Sequence, residues 1–492
     1  MKRWNPKPYQ KKCSDRGFRQ SLALFLDPGL GKTSITLNII CKLLKYKKAK
    51  KGALVIAPSY PCTLTWPEEI KQWSNFCHLN YKIINNKQTP FNQFRKPIGV
   101  NPFSNKYRKT DIFLINPERV TWLFSKVLSR IPSDKWPFDI LVIDESSRFK
   151  RTQSDRTRAV MSLARFFKYR YLLNGTPTGN GYLGLFSQMF IVDLGETLGV
   201  HKGKYIAEYF KQVGHHNSVF ENYELQNQEI NSKQIMQRIK KNVICLKAED
   251  YETVPSLNLQ PKFITLPKKA LKIYEQIEDD LFTEIDDKKF IAQSASVKAQ
   301  MLHQLCTGNL YYTPDPLEPY IAPIKRGFSQ VHKSKLEALQ DLIEELQGQQ
   351  LLIGYHHQHD AEILQRTFKK NITVFNLTPK NKKPNIQSQW NRGKIQLLAG
   401  QMSSIGFGLN LQKSSASYIA LYSLSANFEV FDQFIRRLRR SGNQSQTIFV
   451  YIFLAKNLYD HLIIYPRLTK RRHQNNDFFD LMKLYQQLRQ NL

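Results

Sequence analysis

The residues Asp27, Pro28, Gly29, Leu30, Gly31, Lys32 and Thr33 stand between an apolar run, LALFL, and a helical pattern, SITLNIICKLL, that opens at Ser34. That placement builds a phosphate cradle. A strand ends, a glycine-rich turn aims backbone N–H groups inward, and a helix begins with its positive dipole end toward the anion. In such a cradle Lys32 reaches the β- and γ-phosphates, the Thr33 hydroxyl ligates magnesium, and Ser34 ends the binding segment. The strict G-x-x-x-x-G-K-[ST] pattern fails at its first position, Leu26, so a plain glycine turn before a helix stays open at this point. A second segment, DILVIDESS, ends a β-type run in Asp144 and Glu145. Carboxylates at the carboxyl end of a buried strand lie where open α/β sheets bind ligands. A magnesium nucleotide needs one carboxylate near the metal and another to orient the attacking water; Asp144 suits the first role and Glu145 the second. Taken alone, the pair also reads as a solvated turn.

The elements that must position these residues alternate between β-type runs and helical patterns, which predicts an α/β fold with mainly parallel sheets. LALFL, ALVIAP, DIFLIN, DILVIDE and YRYLLN form one set before residue 180, and LLIGY, ITVFNL, KIQLLAG, YIALYS and TIFVYIFLA a second set from about residue 350. Helices intervene, as in KLEALQDLIEELQ, where Leu336, Leu339, Leu342, Ile343 and Leu346 share a stripe. Two sheets imply two lobes, 1–195 and 331–456. The stretch 196–330 lacks strand alternation and reads as a mostly helical insertion, and 457–492 as a basic helical tail.

Composition narrows the partners. The chain has 492 residues and a formal charge of +33, from 73 Lys and Arg against 40 Asp and Glu. An excess of that size calls for a polyanion and disfavours an enzyme of small neutral metabolites. No apolar run approaches membrane-spanning length, and MKRWNPKPYQ lacks a signal-peptide core, so nucleic acid is expected in preference to a membrane. Basic runs such as RFKRTQSDRTRAV, FNQFRKPIGVNPFSNKYRK and LTKRRHQ supply diffuse attraction to phosphates. The six cysteines are scattered without C-x-x-C pairs, which reads as reduced thiols in a cytoplasmic protein, in the host cytoplasm if the source is viral. His356, His357 and His359 invite a metal reading, but their neighbours lack ligand spacing, and a loop after a strand is the expectation.

Taken in order, these segments resemble the Swi/Snf-like ATPases of helicase superfamily 2, particularly minimal stand-alone members found in bacteria and bacteriophages. PYQ at 8–10 is similar to the Q motif, DPGLGKT to motif I, APSYPCTLTWPEEIKQW at 57–73 to motif Ia, DESS at 144–147 to the DEAH-like box, and NGTPTGN at 174–180, followed by LFSQ, to motif III. In the second half GQMSSIGFGLNLQ at 400–412 resembles motif V and QFIRRLRRSGNQ at 433–444 motif VI. Leu26, Asn174, Phe434 and Asn443 depart from common family residues without removing a phosphate, metal or arginine group.

The resemblance implies two tandem RecA-like lobes and a nucleic-acid-stimulated ATPase using ATP and Mg2+. It implies that Gln10 reads adenine, that Arg437 and Arg440 reach across a cleft to the nucleotide, with the principal finger undecided between them, and that Ser59, Thr176 and Ser403 contact nucleic acid. DNA is the preferred track. RNA, or a nucleic-acid-binding scaffold with a weak ATPase, are the alternatives.

Overall fold

The computed structural model describes residues 1–84, 110–179, 181–213, 223–280, 282–285, 288–291, 294–311, 327–375, 386–406 and 409–488. The run FNQFRKPIGVNPFSNKYRK, Asn180, Phe407 and Gly408 lie outside them. The chain divides into two compact units, Met1–Lys211 with Tyr223–Tyr251 and His473–Leu492, and Gln212–Asn222 with Glu252–Arg472.

Numbering the strands of the two large sheets in chain order, the first unit holds β1 (Leu22–Leu26), β2 (Gly52–Ile56), β3 (Tyr81–Ile83), β4 (Ile112–Ile115), β5 (Phe138–Asp144), β6 (Tyr169–Asn174) and β7 (Val243–Leu246). They pair in the order β3-β4-β2-β5-β6-β1-β7, parallel throughout. Every residue of β1, β2 and β4 is buried, as continuous apolar runs must be when helices cover both faces of a parallel sheet. Because the strands are parallel, all their carboxyl ends lie on one side. β1 therefore delivers the loop after Leu26, and β5 delivers Asp144, to the same edge.

The second unit holds β8 (Ser256–Ile264), β9 (Leu351–Tyr355), β10 (Ile372–Phe375), β11 (Leu397–Gln401), β12 (Tyr418–Leu421) and β13 (Thr447–Ala455). Their order is β8-β13-β12-β9-β11-β10, again all parallel. Leu352, Leu398, Ile419, Leu421 and Phe434 line one face of its core. Leu339, Ile353, Leu364, Ala420 and Phe453 line the other. The α/β class and the two parallel sheets are as the sequence implies.

The stretch expected as a mostly helical insertion holds helices but also carries strands of both large sheets. Within 196–330, β7 is the edge strand of the first sheet, and β8 pairs with β13 over nine residues of the second. β7 is only four residues long, too short to show a period, and β8 is a half-exposed edge strand whose polar residues and Pro261 mask it; proline belongs on such an edge because it cannot donate to an inner ladder. Two antiparallel hairpins, Phe282–Ile285 with Lys288–Ile291 and Asn309–Tyr311 with Phe328–Gln330, also fall there. The tail is helical as expected, Tyr465–Leu488, and its Phe478, Phe479 and Met482 are buried in the first unit's core. Among the described residues, no helix is long and apolar enough to cross a membrane.

Candidate functional site

The loop after β1 turns through Gly29 at φ 99° and Gly31 at φ 78°, and the helix Lys32–Lys45 starts at once. Both glycines occupy the left-handed region that other residues adopt only at a cost. At Gly31 a Cβ would stand 2.6 Å from Gln10 Nε2 and so push the Gln10 amide aside. Gln10, in the helix Pro8–Arg19, donates from Nε2 to the Leu30 carbonyl at 3.2 Å and accepts at Oε1 from Lys7 N–H at 3.0 Å. It thus braces the loop directly.

Asp27 also braces the loop: its Oδ2 accepts from Ala248 N–H at 3.0 Å, just beyond β7. Pro28 packs against Gly175, where a Cβ would meet Pro28 Cδ at 3.3 Å. Lys32 Nζ donates to Leu26 O at 2.6 Å, bent back to the strand end. Thr33 is half-buried in the first turn. The Ser34 hydroxyl, proposed for the nucleotide, is instead directed to Glu69 Oε2 at 2.7 Å, which also accepts from Trp73 Nε1 at 2.8 Å. With its hydroxyl so engaged, Ser34 offers a phosphate its backbone N–H, one of the unpaired donors of a helix's first turn.

Asp144 ends β5 and is 9% exposed. Its Oδ2 accepts from the indole N–H of Trp66 at 3.1 Å and its Oδ1 from Glu145 N–H at 3.1 Å. Burial raises the carboxyl's pKa above the ordinary range, while the Trp66 hydrogen bond, the Lys32 charge and the Glu145 N–H pull it back. Glu145 is half-buried with φ 54° and ψ 57°. A left-handed glutamate is strained, and such strain persists only where the surroundings over-determine it. Those surroundings centre on Gln188: its Oε1 accepts from Ser146 Oγ at 2.7 Å and Asn174 Nδ2 at 3.4 Å, and its Nε2 donates to Pro177 O at 3.3 Å and Gly184 O at 3.1 Å. Gln188 therefore ties the turn after β5 to the turn after β6. The letters LFSQ mark Gln188 in the sequence, but its bridging role and that of fully buried Trp66 become visible only in space.

In the second unit Arg437 and Arg440 follow the helix Phe428–Ile435. Both are half-buried, and they are used differently. Arg437 donates to three backbone carbonyls, Gly406 at 2.5 Å, Leu409 at 3.2 Å and Gln433 at 3.3 Å, joining the turn after β11 to its own helix. Arg440 Nη1 donates to the side-chain oxygen of exposed Asn410 at 3.2 Å.

Of the three residues expected on nucleic acid, Ser59 is exposed just after β2, with its Oγ accepting from Asn116 Nδ2 at 3.4 Å, and Ser403 is exposed on the short helix Met402–Ile405. Thr176 is not at a surface. It is 1% exposed beneath the turn after β6, its N–H bonded to Asn174 Oδ1 at 3.1 Å, so burial removes it from contact with a macromolecule. His359 is buried beside Asp360 in the helix Gln358–Phe368 and so is not the loop residue expected, and among the described residues no three His, Cys, Asp or Glu side chains gather as a metal site.

The family model of the SNF2-related domain matches residues 13–310. The chain belongs to that family and is an SNF2-type ATPase. It is 27% identical over 489 residues to protein p41 of Acyrthosiphon pisum secondary endosymbiont phage 1, across 96% of this chain and 98% of that protein. It is 31% identical over 175 residues, 35% of this chain, to the SWI/SNF-related matrix-associated actin-dependent regulator of chromatin subfamily A-like protein 1 of Bos taurus, of which it covers only 16%. Among solved structures, the Sulfolobus solfataricus SWI2/SNF2 ATPase core in complex with dsDNA aligns with TM-score 0.41 and 20% identity over 92% of this chain and 88% of that one.

Proposed function

We propose that this ATPase is a motor on DNA, binding ATP on the first unit and using hydrolysis to shift its grip along the polymer. The observation that carries the ATP site is the gathering of Gln10, Lys32, Asp144 and Glu145 at the carboxyl edge of one parallel sheet, around a loop whose Gly29 and Gly31 take positive φ. Support for the polyanionic track comes from the charge of +33.

Asp144 and Thr33 offer hard oxygen donors, and a carboxylate whose burial disfavours its own charge suits a divalent cation, so these residues fit Mg2+. When bound, the ion supplies positive charge to the phosphate oxygens. Lys32 turns from the Leu26 carbonyl to the phosphates, the loop N–H groups hold them, and Glu145 orients the water or takes its proton. Arg440, with Arg437, stabilises the charge that spreads over the transferring phosphoryl group. Ser59 and Ser403 contact the nucleic-acid backbone.

The test is ATP hydrolysis measured side by side with duplex DNA, single-stranded DNA and RNA. Stimulation by duplex DNA at least equal to that by single strands is expected; stimulation by RNA alone would replace DNA as the track. Lys32→Ala should abolish the stimulated hydrolysis while DNA binding persists, and log Kobs for duplex DNA should fall against log[salt] with a slope of about −0.9 per phosphate neutralised.

A further inference from the structure

Four imidazoles crowd the carboxyl ends of the second sheet. His303 comes from the helix Ala295–Cys306, His356 and His357 follow β9, and His359 lies in the first turn of the helix Gln358–Phe368. Ring centroids are 4.7 Å apart for His303 and His357, 5.6 Å for His303 and His356, 4.9 Å for His356 and His357, and 5.1 Å for His357 and His359. His303 Nε2, His357 Nε2 and His359 Nε2 are buried without a hydrogen-bond partner.

The surrounding charges are few. Asp360, fully buried, faces the cluster with Oδ1 2.9 Å from His359 Nδ1, close but misaligned for a hydrogen bond. From the helix Ser334–Glu345 comes fully buried Lys335, already paired with fully buried Asp460 next to Tyr459. His332 bonds the Leu305 carbonyl at 2.8 Å, and the Tyr311 hydroxyl accepts from His359 N–H at 3.0 Å. Asp360 is thus the carboxylate beside four imidazoles, and a second proton would meet a first about 5 Å away in a buried setting.

The cluster is wired to the loop that carries Ser403. The His356 carbonyl accepts from Gln401 Nε2 at 3.0 Å, and Gln401 immediately precedes the helix Met402–Ile405. His356 N–H donates to Ser423 Oγ at 2.6 Å, and Ser423 Oγ donates to Asp360 Oδ2 at 2.6 Å, which joins the ends of β9 and β12. Asp360 Oδ2 also caps the helix by accepting from the His357 N–H at 3.1 Å, so the carboxylate beside the imidazoles fixes the helix start as well.

We propose that the cluster of His303, His356, His357 and His359 is a proton-sensitive lock on the carboxyl ends of β9, β11 and β12, closed while His303, His356 and His357 are neutral and opened when they take up protons. Burial pushes His303 well below the usual histidine range, lowers His356, and takes His357 down to about 3. A group whose pKa is lowered by folding binds fewer protons folded than unfolded. The lock is therefore fully stable above about pH 6.5 and weakens as pH falls below it, by up to tenfold per pH unit for each such histidine. Asp360, held down to about 2, adds acid sensitivity only below the ordinary carboxylate range, outside this window.

Amide hydrogen exchange on the full chain at pH 7.5 and 5.5, corrected for intrinsic rates, tests the lock without reference to any activity. Peptides covering 295–306, 351–368 and 397–406 should open about a thousandfold more readily at pH 5.5, about tenfold for each of three buried neutral histidines. Peptides of β1, β2 and β5 should change by less than tenfold. In His303→Leu the acid response of the same peptides should shrink about tenfold. Equal responses in both units, or histidine ring resonances of the wild type that all titrate near the ordinary value, would overturn the lock. Stoichiometric protection of these peptides by added Zn2+ at pH 7.5 would overturn it too, in favour of a metal site.

Discussion

The carboxyl edges of the two sheets are built on the same plan and furnished differently. At the first, the residues for chemistry are held from behind: Trp66 and Glu145 N–H on Asp144, Gln188 under the turn that carries Glu145, Gln10 and Asp27 on the phosphate loop. At the second, an arginine expected to do chemistry is itself a brace, with Arg437 spread over three carbonyls, and the ends of its strands carry a knot of imidazoles beside Asp360. The first edge is pre-organised, with much of its support coming from residues such as Trp66 and Gln188 that are given no part in the chemistry. In the second, one side chain serves both ends, so damage to function and damage to folding are entangled there.

The largest effects should come from the arginines, and they separate the two kinds of residue. Arg440→Ala is expected to slow DNA-stimulated ATP hydrolysis by about 10³ to 10⁵ with a smaller stability loss than Arg437→Ala, its bond to the Asn410 side chain being exposed. Arg437→Ala should slow hydrolysis too and also destabilise the second unit by about 1–3 kcal/mol, because Gly406, Leu409 and Gln433 lose a charged donor. Denaturant unfolding alongside turnover decides between them; equal stability losses in the two variants would erase the contrast.

At the first edge, Glu145→Gln should retain nucleotide and reduce single-turnover hydrolysis by about 10² to 10⁴, the usual scale of a lost general base. Near-normal turnover would move the water-orienting role elsewhere.

A smaller effect tests the supporting row. Trp66→Phe removes the indole donor that favours ionised Asp144. With burial left less opposed, the carboxyl's pKa rises further, so activity should begin to fail at a higher pH on the acid side, with a shift of about one unit or less, while the rate at high pH is nearly kept. An unchanged pH–rate profile would mean that the indole holds the fold and not the charge.

Much of the first edge is legible in the sequence because its chemistry is local. A strand, two glycines, Lys32 and Thr33 are contiguous, and Asp144 and Glu145 directly end an apolar run. Residues whose duty depends on distant neighbours are not legible in that way. Thr176 sits in a contiguous motif yet is sealed at 1% exposure, and Ser34 follows Lys32 and Thr33 yet is directed to Glu69. β7 and β8 escape a search for period because one is four residues long and the other is half-exposed with a proline.

The amino-acid order alone settles which groups exist and on which local turn each is carried: hydrophobic period selects strand or helix, and glycine permits the loop conformation of φ 78° at Gly31. It also carries the formal charge of +33, a count of residue types. Tertiary structure alone decides which of these groups face a ligand and which face each other. Asp144 meets Trp66 across 78 positions, Asp27 meets Ala248 across 221, and His303 meets His357 from a separate helix. Burial and hydrogen-bond partners are set by packing between segments far apart in the chain, and a side chain's charge state and availability follow from that packing.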